Sequence, residues 1–156
     1  MGKIKYDSEV KLWYYDIDYI KGYEFREEIN DNNDCSVRAI ASATGADYRE
    51  AHEYASKYFN RKIGEGAEGF GLIMDRRAGL PFLNNTKYKE IKLKEKRMLL
   101  KDFLEEYSSG IYIVCMYNHV FTVKNKIIIG NSDDRKMLTK KVHFVYKINK
   151  ILNGKD

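Results

Sequence analysis

The chain has 156 residues, 44% of them hydrophobic and 33% charged, with a net charge of +5. This length suits one domain that buries roughly 68–70% of its unfolded surface, and the composition is that of an ordinary globular protein with no low-complexity tract. The longest apolar run, Ile111 to Tyr117, falls far short of the ~20 residues that cross a bilayer. The charged start from Met1 to Lys11 lacks a secretory core, so no membrane partner and a cytoplasmic location are expected.

In chain order, Val10 to Tyr15 is aromatic-rich with a loose alternation that suits a strand. Asp31 to Asp34 is a polar run of the kind that makes turns and caps helices. Val37, Ile40 and Ala41 then fall at helical spacing, and Thr44-Gly45 closes that helix with glycine just past its last turn. Asp47 can cap a second helix, Tyr48 to Phe59, with Ala51, Tyr54, Ala55 and Tyr58 on one face. Gly64-Glu65-Gly66-Ala67-Glu68-Gly69 matches the dinucleotide glycine fingerprint literally, but it follows a helix rather than a strand. A loop beside the active cleft is the expectation there, with a third helix over residues 70–78.

The second half reads differently. Residues 88–93 alternate as a strand, and residues 98–107 carry a helical pattern ended by Ser108-Ser109-Gly110. Three strand-like runs follow: Ile111 to Tyr117, a hairpin of residues 119–123 and 127–131, and residues 142–148. Helices first and an antiparallel sheet last indicate an α+β fold with segregated layers.

The basic residues are dispersed. Their one modest cluster, Lys87 to Lys101, is broken by Glu90 and Glu95 and carries almost no aromatic platform. It reads as a solvated face rather than a nucleic-acid interface. The two cysteines and three histidines fit no standard zinc spacing, and no cofactor is implied. Cys115 sits inside an apolar strand and reads as inert core, while His52 and His143 read as surface or partly buried residues.

The remaining Cys35 and His119 form a more pointed combination. A thiol opening a helix feels the positive end of the helix dipole, which favours thiolate. The unpaired N–H groups of that first turn suit a developing oxyanion. A three-residue turn centred on Asn125 places His119 opposite Asn131, within reach of an orienting hydrogen bond. A two-residue turn instead brings Gly130 opposite and makes Asp133 the acidic partner. Asn30, Asn32 and Asn33 each offer an amide as second oxyanion donor, with Asn30 or Asn32 preferred. Two other readings stand beside acyl transfer: a catalytically degenerate protein that binds another factor, and a nucleic-acid-associated protein.

The segments Asn33-Asp34-Cys35-Ser36-Val37-Arg38-Ala39-Ile40, Ala43-Thr44-Gly45, Leu100 to Leu104, Gly110 to Val114 and Asn118-His119-Val120 resemble small phage-encoded proteins of papain-like fold. The chain is more distantly similar to papain-like peptidases, including the bacteriocin-processing ones. The resemblance spans residues 30–131. It implies a single papain-like domain over residues 1–156, with Cys35 as nucleophile, His119 as general base and acid, and Asn131 as orienter. It also implies a protein or peptide substrate or, for a catalytically degenerate phage protein of this fold, a host or phage factor as target, in the host cytoplasm. The sequence departs from the peptidases at the glutamine six residues before the nucleophile: Ile29 stands there, and the chain contains no glutamine.

Overall fold

A computed structural model describes residues 4–67 and 69–150. Strands β1 (Ile4–Asp7) and β2 (Leu12–Asp16) form an N-terminal hairpin. Helices α1 (Phe25–Glu28), α2 (Cys35–Thr44), α3 (Tyr48–Tyr58) and α4 (Phe70–Arg77) follow. The chain continues through β3 (Thr86–Ile91), α5 (Leu100–Glu106), β4 (Ile111–Met116), β5 (His119–Lys124) and β6 (Ile127–Gly130). It ends with α6 (Ser132–Arg135) and β7 (Phe144–Lys150).

All seven strands join one sheet in the order β1-β2-β6-β5-β4-β7-β3. The α+β class therefore holds, while two finer expectations do not. The sheet is mixed rather than antiparallel, because β2 pairs in parallel with β6 through Tyr14↔Ile128 and Tyr15↔Ile129. More than a hundred residues separate those strands, ample chain for the crossover that parallel pairing needs. Nor are the helices gathered at the N-terminus, since α5 and α6 lie among the late strands.

That second set of helical residues explains the unbroken apolar run of β4. Ile113 and Cys115 pack with Val37, Ile40 and Ala51 of α2 and α3, whereas Tyr112, Val114 and Met116 pack with Leu100 and Phe103 of α5. Alternate residues thus enter two cores, one on each face of the sheet, so no position in the strand is left polar.

Helix α2 lies at the centre. Val37, Ala39, Ile40 and Ala41 are each 1% exposed or less; burying Val37 and Ile40 contributes about 1.5–3 kcal/mol each. The alanines let α2 come close enough to β5 for the Thr122 hydroxyl to donate to the Ala39 carbonyl at 2.8 Å. Gly45 ends the helix in the left-handed conformation, with φ 73°. Asp47 then starts α3 through a reciprocal capping box with Glu50,.

The β5–β6 connection corrects the expected register. Asn125 and Lys126 both have positive φ, at 48° and 73°, which makes a two-residue turn of the primed kind whose twist suits a hairpin. Gly110 fixes it by donating its N–H to Asn125 Oδ1 at 2.8 Å. Val123 pairs with Ile128 and Thr122 with Ile129, so Asn131 lies beyond the end of β6 and is not His119's partner across the ladder. The alternative that put Gly130 opposite His119 fails too, because its two-residue turn lay one position earlier in the chain.

Candidate functional site

Cys35 is the first residue of α2, and the residue before it leaves the helix start open. Asp34 makes no side-chain cap because its carboxylate is already occupied. It accepts from Arg26 Nε at 2.9 Å, from Arg38 Nε at 3.1 Å and from the Tyr48 hydroxyl at 2.6 Å. Among the described residues no side-chain cap closes the first turn of α2, so its N–H groups stand open beside Cys35,.

His119 opens β5. Its Nε2 contacts Asp134 Oδ1 in a very short hydrogen bond, which leaves Nδ1 as the ring nitrogen for Cys35. Burial pushes the Cys35 thiol up, but the hydrogen bond and positive charge of His119, the Val120 N–H and the charge of Arg38 together outweigh it. The thiol ends below its ordinary value. Burial likewise pulls His119 down, yet its bonds to Asp134 and Cys35 dominate and raise it to about 9. The two shifts are coupled, each group favouring the charged form of the other.

Asp134, fully buried, is the residue that sequence reasoning missed. The structure gives the imidazole neither Asn131 nor Asp133 as its partner. Asn131 is the N-cap of α6: its Oδ1 accepts from the Asp134 N–H at 3.1 Å, and its own N–H donates to Asp134 Oδ2 at 2.9 Å. Arg38 Nη1 donates to the same Oδ2 at 3.3 Å. A side chain at Gly130 would collide with this carboxylate, since a Cβ there would sit 2.0 Å from Asp134 Oδ2. The readable signal was the capping-box spacing Asn131-x-x-Asp134, which announces a helix start holding a carboxylate.

The pair opens into a cleft of about 740 Å³ lined by Asn33, Ser36, Glu65, Met116, Asn118 and Phe144, among others. Gly64, Gly66 and Gly69 of the glycine-rich run form one wall, following α3 rather than a strand. All three candidate oxyanion amides are exposed, and of them Asn33 lines the cleft while Asn30 and Asn32 do not. Asn33 Nδ2 lies 3.9 Å from where a Gly66 Cβ would stand, and its carbonyl accepts from Arg61 Nη2 at 3.0 Å. Ser36 is buried, and its hydroxyl has no hydrogen-bond partner among the described residues.

Below this wall sits a buried ionic clamp. Arg61 grips Asp31 with two bonds of 2.8 and 2.7 Å, and the same carboxylate takes His52 Nε2 at 3.1 Å and the Gly64 N–H at 3.1 Å. The segment before Cys35 is thereby tied to the glycine loop. His52 is buried in this clamp, not at the surface as one reading of the sequence had it. His143 is exposed, its ring 6.0 Å from that of Tyr117. Cys115 is 4% exposed, and burial followed by the charge of Cys35 drives its thiol far above the usual range.

Among the described residues no cluster of His, Cys, Asp and Glu is arranged to hold a metal ion, and no helix is long and apolar enough to cross a membrane. No known family model, curated protein or solved structure matches this chain.

Proposed function

We propose that this protein is a cysteine-dependent hydrolase or acyltransferase of papain-like construction, acting on an amide, isopeptide or thioester bond of a protein or peptide. The single observation that supports it is the line Cys35–His119–Asp134: a helix-opening thiol, an imidazole and a buried carboxylate from three separate elements. In this reading Cys35 Sγ attacks the substrate carbonyl carbon, and the oxygen gains negative charge near the open N–H groups of α2 and the Asn33 amide. The tetrahedral adduct collapses as His119 Nδ1 donates its proton to the leaving nitrogen or sulfur. A thioester to Cys35 remains. Water, or an acceptor amine or thiol, then attacks that thioester while His119 takes the incoming proton, and the Cys35 thiolate departs.

Asp134 holds the imidazole in the tautomer and orientation that this traffic needs, and it stabilises the imidazolium. Asn33, two residues before the nucleophile, lines the same cleft and takes the place of the missing glutamine in this reading. The experiment is a screen of fluorogenic peptide, isopeptide and thioester substrates with intact-mass analysis of the protein. Turnover that disappears in Cys35→Ala, with an acyl adduct mapped to Cys35, supports the reading. Turnover that survives Cys35→Ala overturns it.

A further inference from the structure

Beside the cleft runs a second groove of about 540 Å³, lined by Glu90, Lys92, Lys94, Lys96, Arg97, His143 and Phe144, with Ile91 and Leu93. Phe144 lines both hollows. The strip between them is pinned, because the His143 N–H donates to the Cys115 carbonyl at 2.9 Å and Phe144 pairs with Cys115 across β4 and β7. Phe144 is the shared wall that a chain leaving the cleft would cross to reach the groove.

The charge of this groove is one-sided. Lys94 is partnered by Glu106 at 3.3 Å, but Lys92, Lys96 and Arg97 form no ion pair among the described residues. Glu90 is the one carboxylate in its lining. Burial, followed by the charge of Asp75 and a hydrogen bond to it, makes Glu90 hold its proton more tightly than an ordinary carboxylate. Three cations without an ion-pair partner among the described residues thus line a hollow that shares Phe144 with the cleft of the reactive thiol.

We infer that this groove selects substrates carrying acidic side chains a few residues from the bond attacked at Cys35, with Lys92, Lys96 and Arg97 as the specificity-determining residues. The inference rests on the catalytic reading above. An acidic polypeptide suits the site better than a nucleic acid: the aromatic rings in its lining are the adjacent His143 and Phe144, whereas single-stranded nucleic acids are held by long basic tracks with repeated stacking platforms.

The test measures iodoacetamide alkylation of Cys35 with and without a decapeptide alternating Glu and Ala. The acidic peptide should slow alkylation in a salt-sensitive way. The combined variant Lys92→Glu, Lys96→Glu, Arg97→Glu, its rate with peptide compared with its own rate without, should raise the half-protecting concentration about tenfold. An unchanged half-protecting concentration in that variant, or equal protection by a Ser/Ala decapeptide, overturns the inference. So does stronger protection by an oligothymidylate of matching charge, which would assign the groove to nucleic acid. Protection is a ratio of rates and can be read whatever the intrinsic reactivity. An unprotected rate no faster than that of a free thiol therefore strikes the catalytic reading separately.

Discussion

Asp134 reaches back from a four-residue helix beyond β6 to the Nε2 of His119 at the start of β5. Every other contact of that carboxylate keeps it there. Arg38 anchors it to the nucleophile's own helix, Asn131 closes its helix end, and Gly130 leaves it the space. Helix α6 is itself tied to the N-terminal hairpin, where Arg135 Nε donates to Asp7 at 2.7 Å and the guanidinium covers the Tyr14 ring at 3.6 Å. The imidazole's orientation is therefore set by a buried carboxylate tied to the nucleophile's own helix and, through α6, to the N-terminal hairpin.

Removing the carboxylate should change both rate and pH dependence. Asp134→Asn is expected to lower kcat/KM by about 10²–10⁴. The largest cause holding His119 up is its bond to Asp134, so the alkaline limb of the pH–rate profile should move from about 9 towards the ordinary imidazole value of 6.5. A profile whose alkaline limb stays in place would mean that Asp134 does not govern the imidazole.

Gly130→Ala should reproduce part of that defect without touching a charged group. Its Cβ would meet Asp134 Oδ2 at 2.0 Å, and the backbone around it is β-strand, so crowding rather than dihedral strain is the cause. Overpacking of this kind costs about 1–3 kcal/mol. Thermal unfolding should show the loss, and the acidic displacement of the alkaline limb should accompany it. Wild-type kinetics in Gly130→Ala would show that the carboxylate tolerates displacement.

The oxyanion assignment separates three asparagines. Asn33→Ala should reduce kcat by about 10²–10³ with little change in KM, whereas Asn30→Ala and Asn32→Ala should leave kcat within twofold or so. Equal effects at all three positions would remove Asn33 from the cleft chemistry.

The Asp31–Arg61 clamp makes a stability prediction. Burial pushes Asp31 up, but the Arg61 bonds, the Gly64 N–H, the Arg61 charge and His52 overcome it and hold the carboxyl at about 2, below its ordinary 3.8. A depressed folded-state value contributes stability that is present above the unfolded value and lost as pH falls through the folded one. Urea unfolding should therefore weaken as pH drops from about 4 to about 2, and an Asp31→Asn variant should lack that part of the slope. At neutral pH, Asp31→Ala strands the Arg61 charge and should cost about 3–5 kcal/mol.

The sequence announced the parts of the site that rest on local rules. Cys35 at a helix start follows from the polar run before it and the Val37/Ile40/Ala41 spacing after it, and Gly45 ends that helix as glycine does. His119 at a strand start follows from the apolar alternation behind it. The orienting residue escaped because the hairpin register was judged from a turn without glycine. Asn125 and Lys126 both take positive φ, a conformation that lysine seldom adopts,. A slip of one residue moved Asn131 out of line. The mixed sheet escaped for a different reason: the β2–β6 pairing joins residues more than a hundred apart, and no local pattern encodes which distant edge a hairpin will choose. No local pattern shows either that Asp34, at the N-cap position of α2, gives its carboxylate to Arg26, Arg38 and Tyr48 in place of a cap.

The most direct measurement is the rate of Cys35 alkylation by iodoacetamide as a function of pH, with the modified residue identified by mass spectrometry. A thiolate–imidazolium pair should give rapid labelling of Cys35 near pH 6, well below the titration of an ordinary thiol, and His119→Ala should abolish that reactivity while buried Cys115 stays unlabelled throughout. Labelling of Cys35 that rises only with the ordinary thiol titration, and is unchanged in His119→Ala, would contradict an activated nucleophile at this site.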